Sequence, residues 1–259
     1  MIIDAHAHIL NHDLGTTKAG LLRSMKAAGI SKSLVIDDVF TKNTGYTHQE
    51  MIKLVSGEPK LALAGTFDVM RGTKKDLVFV EKNIADGTYK AIKLYPGYQH
   101  FYAWEKRCHK VYALCMRYKI PVIFHQGDVW DPKNKALLKF SHPQHLDELA
   151  VKFPKLTIVM AHLGCPHFDH AKPIIEKNPN VYADISGLFI GKFDPKLAEH
   201  YRRELNYVIH YSGHEKLMFG SDFELTSQKD YVKFVKSLDL KGGKLADVLG
   251  RTAKKVYKI

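Results

Sequence analysis

The chain has 259 residues, 45% of them hydrophobic and 25% charged, with a net charge of +12. That length suits one large α/β domain of ordinary globular composition. No apolar run approaches the roughly 20 residues of a membrane span, and the first apolar stretch carries an acid and two histidines, which a secretory leader would not.

The first predicted strand is "IIDAHAHI", where His6 and His8 fall two residues apart and so project to one face, together with Ile2 and Asp4. A helical pattern, "KAGLLRSMKAAG", follows it. The β-branched run "KSLVIDDV" is then followed by the helix "HQEMIKLVSG", and "LALAGTFDV" by "DLVFVEKNIADG". "YKAIKLYPG" precedes "EKRCHKVYALCMRYK", and "PVIFHQGDV" precedes "PQHLDELAVKFP". "LTIVMAHLG" runs into a loop entering a helix, "VYADISGLF" is followed by "KLAEHYRRELNYVIHY", and "KLMFGSDFE" is the eighth strand. "KDYVKFVKSL" and "ADVLGRTAKKVYK" complete the helical patterns. Several helices stop at Gly or Pro, as helix ends should.

Eight strand–helix units imply a parallel sheet, because each crossover returns the chain to the same edge. Over this length they predict an α/β fold, a closed (β/α)₈ TIM barrel forming a single domain over residues 1–259. An open doubly wound sheet would show a Gly-rich turn after the first strand, and none is present.

Active sites of such barrels lie at the C-terminal ends of the strands. Of fifteen histidines, His6, His8, His125 and His162 fall there, and Asp222 ends the eighth strand in "FGSD". Neutral imidazoles with a carboxylate suit Zn²⁺ and similar divalent ions, which lower the pKa of a bound water toward ~7. Asp222 can bind such an ion and also take the water's proton. His162 can bind a second ion or polarise a substrate oxygen. The remaining histidines read as surface or capping residues, His142 and His145 among them. Cys165 lies near His167 and His170, but their spacing is not a usual zinc pattern. Cys108 and Cys115 read as core packing, and three sparse cysteines fit a reducing cytoplasm.

The segments "DAHAH", "KLYPG", "FHQGD", "HPQHLDELAVKFPKLTIVMAHLG" and "FGSD" together resemble the amidohydrolase superfamily, in particular its amidohydrolase-related group of metal-dependent TIM-barrel enzymes. The resemblance spans essentially the whole chain. It implies His6, His8, His125 and Asp222 as primary metal ligands and His162 as a further ligand or catalytic residue. It implies one or two divalent ions, zinc first and manganese second. Lys93 stands where binuclear relatives carry a carboxylated bridging lysine. It could equally pair with a substrate carboxylate or serve the structure. Asp4 could accept a hydrogen bond from a ligand histidine or one in the core.

Loops after the strands would build the pocket. "YPGYQHFYAW" supplies Tyr95, Tyr98, Phe101, Tyr102 and Trp104, and the loop after strand five adds Trp130. Arg71 is a candidate clamp for a carboxylate. The leading function is metal-dependent hydrolysis of an amide, lactone or related ester bond in a small molecule. Non-oxidative decarboxylation of an aromatic or unsaturated acid is the alternative in the same site. A TatD-like deoxyribonuclease and a non-catalytic metal barrel are further alternatives. Against the nuclease, Lys93 stands where such enzymes carry a glutamate, and the scattered lysines form no nucleic-acid stripe. The expected partner is a small-molecule substrate, and a homodimer would suit such a barrel.

Overall fold

The computed structural model describes residues 1–10, 17–37, 45–129 and 135–259. Eight strands form one parallel sheet in chain order: β1 (Ile3–Ala7), β2 (Lys32–Ile36), β3 (Leu61–Thr66), β4 (Tyr89–Leu94), β5 (Val122–Phe124), β6 (Ile158–Met160), β7 (Val181–Asp184) and β8 (Leu217–Met218). The helices are α1 (Lys18–Ala28), α2 (His48–Val55), α3 (Lys74–Ala85), α4 (His109–Tyr118), α5 (His145–Lys152), α6 (Phe168–Lys177), α7 (Pro195–Ser212), α8 (Gln228–Lys236), α9 (Gly242–Ala246) and α10 (Thr252–Tyr257). Every predicted strand is present. Each is shorter than its apolar run, because the chain turns away from the sheet just where the site residues begin.

The helices start where their caps dictate. Thr47 with Glu50 and Thr73 with Asp76 form reciprocal capping boxes at α2 and α3, and Asp194 and Ser227 cap α7 and α8. The last helical pattern does not run through. A wide turn at Asp247–Arg251 separates α9 from α10. There Gly250 packs against β1, where a Cβ would come within 2.9 Å of the Met1 carbonyl oxygen. Among the described residues no helix is long and apolar enough to cross a membrane.

Alternate strand residues make the barrel interior. Ile3 and Ala5, Leu34 and Ile36, Ala62 and Ala64, with Ala91, Ile123 and Val159, pack in one apolar cluster. Lys93 and His125 continue the alternation beyond Ala91 and Ile123, and so turn inward above that layer. The intervening residues face the helices in a larger second cluster.

The barrel closes between its first and last strands. The Ala5 amide donates to the Phe219 carbonyl at 2.9 Å, Asp222 N to His6 O at 2.8 Å, and His8 N to Phe223 O at 2.6 Å. Asp4 locks this seam. Its carboxylate accepts from Ser221 N at 2.9 Å, Ser221 Oγ at 2.5 Å, Gln228 Nε2 at 2.7 Å and the His6 amide at 3.2 Å. Its role is therefore to tie backbone and core together, and among the described residues these four hydrogen bonds go to amide, hydroxyl and carboxamide donors rather than to an imidazole. Burial pushes its carboxyl up to about 6, against the lowering effect of these donors. Asp4→Ala strands the buried Ser221 and Gln228 donors. It is expected to cost about 3 kcal/mol of stability or more, read as a lowered urea midpoint with an unchanged slope.

Candidate functional site

Six strand ends converge at the mouth of the barrel. His6 lies on β1, where its pairing with β2 slips between Asp4 and Ala7. Such irregularities re-aim side chains beside active sites. His8 follows the strand, and Asp222 is delivered to it by the seam. His8 Nε2 lies 3.1 Å from Asp222 Oδ1, and His6 Nε2 lies 3.6 Å from the same oxygen. One ligand atom from each of His6, His8 and Asp222 falls within 4.8 Å of the others. His6, His162 and Asp184 make a second such group, sharing His6.

Asp184, at the end of β7, is a site residue that the sequence reading passed over. Its Oδ2 accepts from His6 Nδ1 at 3.1 Å, while its Oδ1 accepts from the amides of His162 and Ser186, each at 3.1 Å, and from the Ser186 hydroxyl. Ser186 Oγ also lies 3.2 Å from His6 Nδ1 and 2.9 Å from His162 Nδ1. The available signal was positional: Asp184 ends a predicted strand, as the expected ligands do. The amide contact helps hold His162 in the left-handed conformation, at φ 59°, with Leu163 at 48°. Asp222 is likewise left-handed, at φ 54°. Non-glycine residues held this way cost of order 1–3 kcal/mol each and concentrate at functional sites.

His125 directly follows β5. Its Nε2–H donates to the Asp128 carbonyl at 2.8 Å, which leaves the Nδ1 lone pair toward His162 Nε2, 3.2 Å away. By the same logic, the Asp184 contact places the His6 proton on Nδ1 and leaves its Nε2 lone pair facing the Asp222 carboxylate. Two acceptors then oppose each other. Gly187 makes room for this cluster: at φ +68° it is left-handed, and a Cβ would sit 2.6 Å from His162 Nδ1 and 2.9 Å from Asp222 Oδ2.

The charges are sorted. Burial lowers the pKa of His6 below its ordinary value, aided by Lys93, and that of His125 well below it, aided by His162 and Lys93. His162 is lowered to about 4, chiefly by burial, with His6 and Lys93 adding to it and Asp222 opposing. Burial works against the charge of both aspartates. For Asp222 the histidines His6, His8 and His162 outweigh it and hold the carboxyl well below the usual range. For Asp184 the same is done by His6, His162 and Lys93. The outcome is neutral imidazoles beside ionised carboxylates.

Lys93 is fully buried, with Nζ 5.2 Å from the Tyr95 ring centre, and it acts electrostatically on all three of these histidines. Tyr98 meets His125 edge-on at 4.9 Å. The structure therefore brings together His6, His8, His125, His162, Lys93 and Asp222. It does not bring Arg71. That residue is exposed and borders a separate cavity of about 240 Å³ with His48, Asp68 and Asp76, whose lining shares no residue with the cluster. Trp130 lies outside the described residues.

The sequence profile of the amidohydrolase family matches residues 3–259. The chain belongs to the amidohydrolase family. Solved structures share its barrel. An amidohydrolase from Burkholderia multivorans, with bound zinc, is 14% identical, covers 100% of this chain and 99% of its own, and gives a TM-score of 0.73. A probable 2-pyrone-4,6-dicarboxylic acid hydrolase from Acinetobacter baumannii, with citric acid bound, is 15% identical over 100% and 99% of the two chains, with a TM-score of 0.73. A 5-carboxyvanillate decarboxylase from Novosphingobium aromaticivorans, complexed with manganese and a hydroxymethoxynitrobenzoic acid, is 13% identical over 100% and 96%, with a TM-score of 0.71. No curated protein sequence matches significantly. Membership in the amidohydrolase family sets aside the TatD-like alternative.

The lowered pKa of His162 carries a signed consequence. Between pH 6.5 and about 4 the unfolded chain binds a proton that the folded one refuses, so stability falls as pH falls through that window. Urea titrations of metal-free protein across this range should show that slope, and His162→Gln should flatten it.

Proposed function

We propose that this amidohydrolase is a metal-dependent hydrolase of an ester, lactone or amide bond in a small carboxylated molecule. The observation that carries the reading is the convergence of His6, His8 and Asp222 with their ligand atoms within 4.8 Å. The donor set fits a divalent ion. It combines neutral imidazoles with an ionised carboxylate, and the opposed lone pairs of His6 Nε2 and Asp222 are what a cation between them would satisfy. His6, His8, His125 and Asp222 would hold zinc or manganese, metals bound by relatives of the same fold. When bound, the ion acts as a Lewis acid on a substrate oxygen and makes a water acidic enough to ionise near neutral pH.

The chain's own groups do the rest. Asp222 stays ionised, so its carboxylate can take the proton of the attacking water. His162, neutral and fixed by its left-handed turn, carries on Nε2 the N–H that now meets His125 Nδ1 and that can turn to the developing oxyanion. Lys93, rather than Arg71 beside its own cavity, meets the substrate carboxylate from inside the barrel. Asp184 and Ser186 hold His6 and His162 in place without touching substrate. The three free cysteines suit a reducing cytoplasm.

The surroundings of His125 favour a second reading, decarboxylation of a carboxylated aromatic ring. Tyr95 stacks with it at 6.4 Å and Tyr98 meets it edge-on, beside the Lys93 cation. Metal-loaded protein should be assayed against aryl lactones and esters, and against hydroxybenzoic acids, in ¹⁸O-labelled water. Label in the acid product supports hydrolysis, and CO₂ release with no label in the aromatic product supports decarboxylation. Asp222→Asn is expected to lower kcat by about 10³-fold in either case. Lys93→Met is expected to raise KM for carboxylated substrates. Inactivity of wild-type protein on both panels, or an Asp222→Asn variant as active as wild type, would sink the proposal.

A further inference from the structure

Outside this site, three more histidines come together. His142 ends the loop before α5, His167 immediately precedes α6, and His170 lies in the first turn of α6. One ring nitrogen from each lies within 4.8 Å of the others. The His142 ring centre is 4.6 Å from that of His167 and 4.8 Å from that of His170. We propose that His142, His167 and His170 form a second transition-metal site that takes Zn²⁺ or a similar borderline ion, separate from the cluster at the barrel mouth.

The geometry is close to what such an ion needs. Zinc–nitrogen bonds of 2.0–2.1 Å in a tetrahedron put donor nitrogens roughly 3.3 Å apart, so shifts of about 1 Å in the side chains close the site. His167, the N-cap of α6, and His170, three residues on, have ring centres 6.2 Å apart. Each of the two segments has a hydrogen-bonded anchor of its own. The His167 amide donates to the Gly164 carbonyl at 2.8 Å, and Ser141, just before His142, donates its hydroxyl to the Gly127 carbonyl at 2.7 Å. Pro143 seats on Gly164, where no side chain would fit. His142 and His167 are half-buried and His170 is exposed, so water or an exogenous ligand can complete the coordination. The contact from the Gln144 amide to His142 Nδ1, at 3.3 Å, is too long to fix that ring's tautomer. His145 falls outside the group whose nitrogens lie within 4.8 Å of one another, and its Nε2–H donates to the Lys139 carbonyl at 2.7 Å.

The electrostatics agree with this geometry. Burial and the neighbouring imidazoles lower the pKa of His142, and burial with His170 lowers that of His167 against the pull of Asp128. Their lone pairs are then free at neutral pH. A metal here would staple the loop after β5, which carries Asp128, to the segment that follows His162.

The test uses the full chain carrying His6→Ala/His8→Ala, so that the barrel-mouth cluster is disabled, titrated with Co²⁺ and Zn²⁺. We expect retention of about one ion per chain, cobalt ligand-field bands typical of nitrogen ligation, and a rise in Tm with Zn²⁺. Adding His170→Gln, an exposed substitution, should abolish the bands and weaken Zn²⁺ binding by about 100-fold or more. His142→Gln should do the same from the other segment. No retained ion, or unchanged binding in both Gln variants while their circular dichroism stays native, overturns the proposal.

Discussion

The arrangement at the barrel mouth depends on one buried carboxylate. Asp184 accepts hydrogen bonds from the ring of His6, from the backbone of His162 and from both polar groups of Ser186. It thereby joins the first, sixth and seventh strands at the level where chemistry would occur. It fixes the proton of His6 on Nδ1 and steadies the left-handed turn that points His162 inward. A buried anion is tolerable only when such donors surround it, and breaking a buried arrangement of this kind from one side costs several kcal/mol. The carboxylate that holds His6 and His162 in place is therefore one that need not touch a substrate.

An interior cation beside the histidines balances this acidic centre. Lys93 supports the ionised state of Asp184 and, at the same time, discourages protons on His6, His125 and His162. One charge thus sorts protons onto or away from several neighbours, keeping imidazoles neutral and carboxylates charged. That sorting is the electrostatic state a divalent ion requires of its ligands.

The barrel itself was plain in the sequence, because eight β-branched runs alternate with amphipathic helices, and each run maps onto a strand. His6, His8, His125, His162 and Asp222 were legible for the same reason: each ends a strand, and the fold gathers strand ends. Lys93 could be placed but its role could not, since burial and neighbours decide it. Asp184 ends a strand too, yet a lone acid with no partner in the local sequence carries little signal until His6, far away in the chain, is seen against it. The grouping of His142 with His167 and His170 depends on Pro143 seating on Gly164, which spacing alone does not reveal. Arg71 follows a strand end like the others, but its loop leads it to a different cavity.

The seam between β8 and β1 has a consequence in time. Asp4 and Ser221, which meet there, are 217 residues apart. At about 5–20 residues per second, a ribosome needs roughly 10–40 s to deliver the second after the first. Throughout that interval β1 can pair with β2 on one side only, and its other edge, carrying both histidines, stays bare. A chain stalled or clipped before Ser221 would lose the lock, Asp222 and the cover for that edge together. The half-made protein would be inactive and inclined to pair with other chains, so a protease or chaperone that recognises open strand edges would be reading the completeness of the active site.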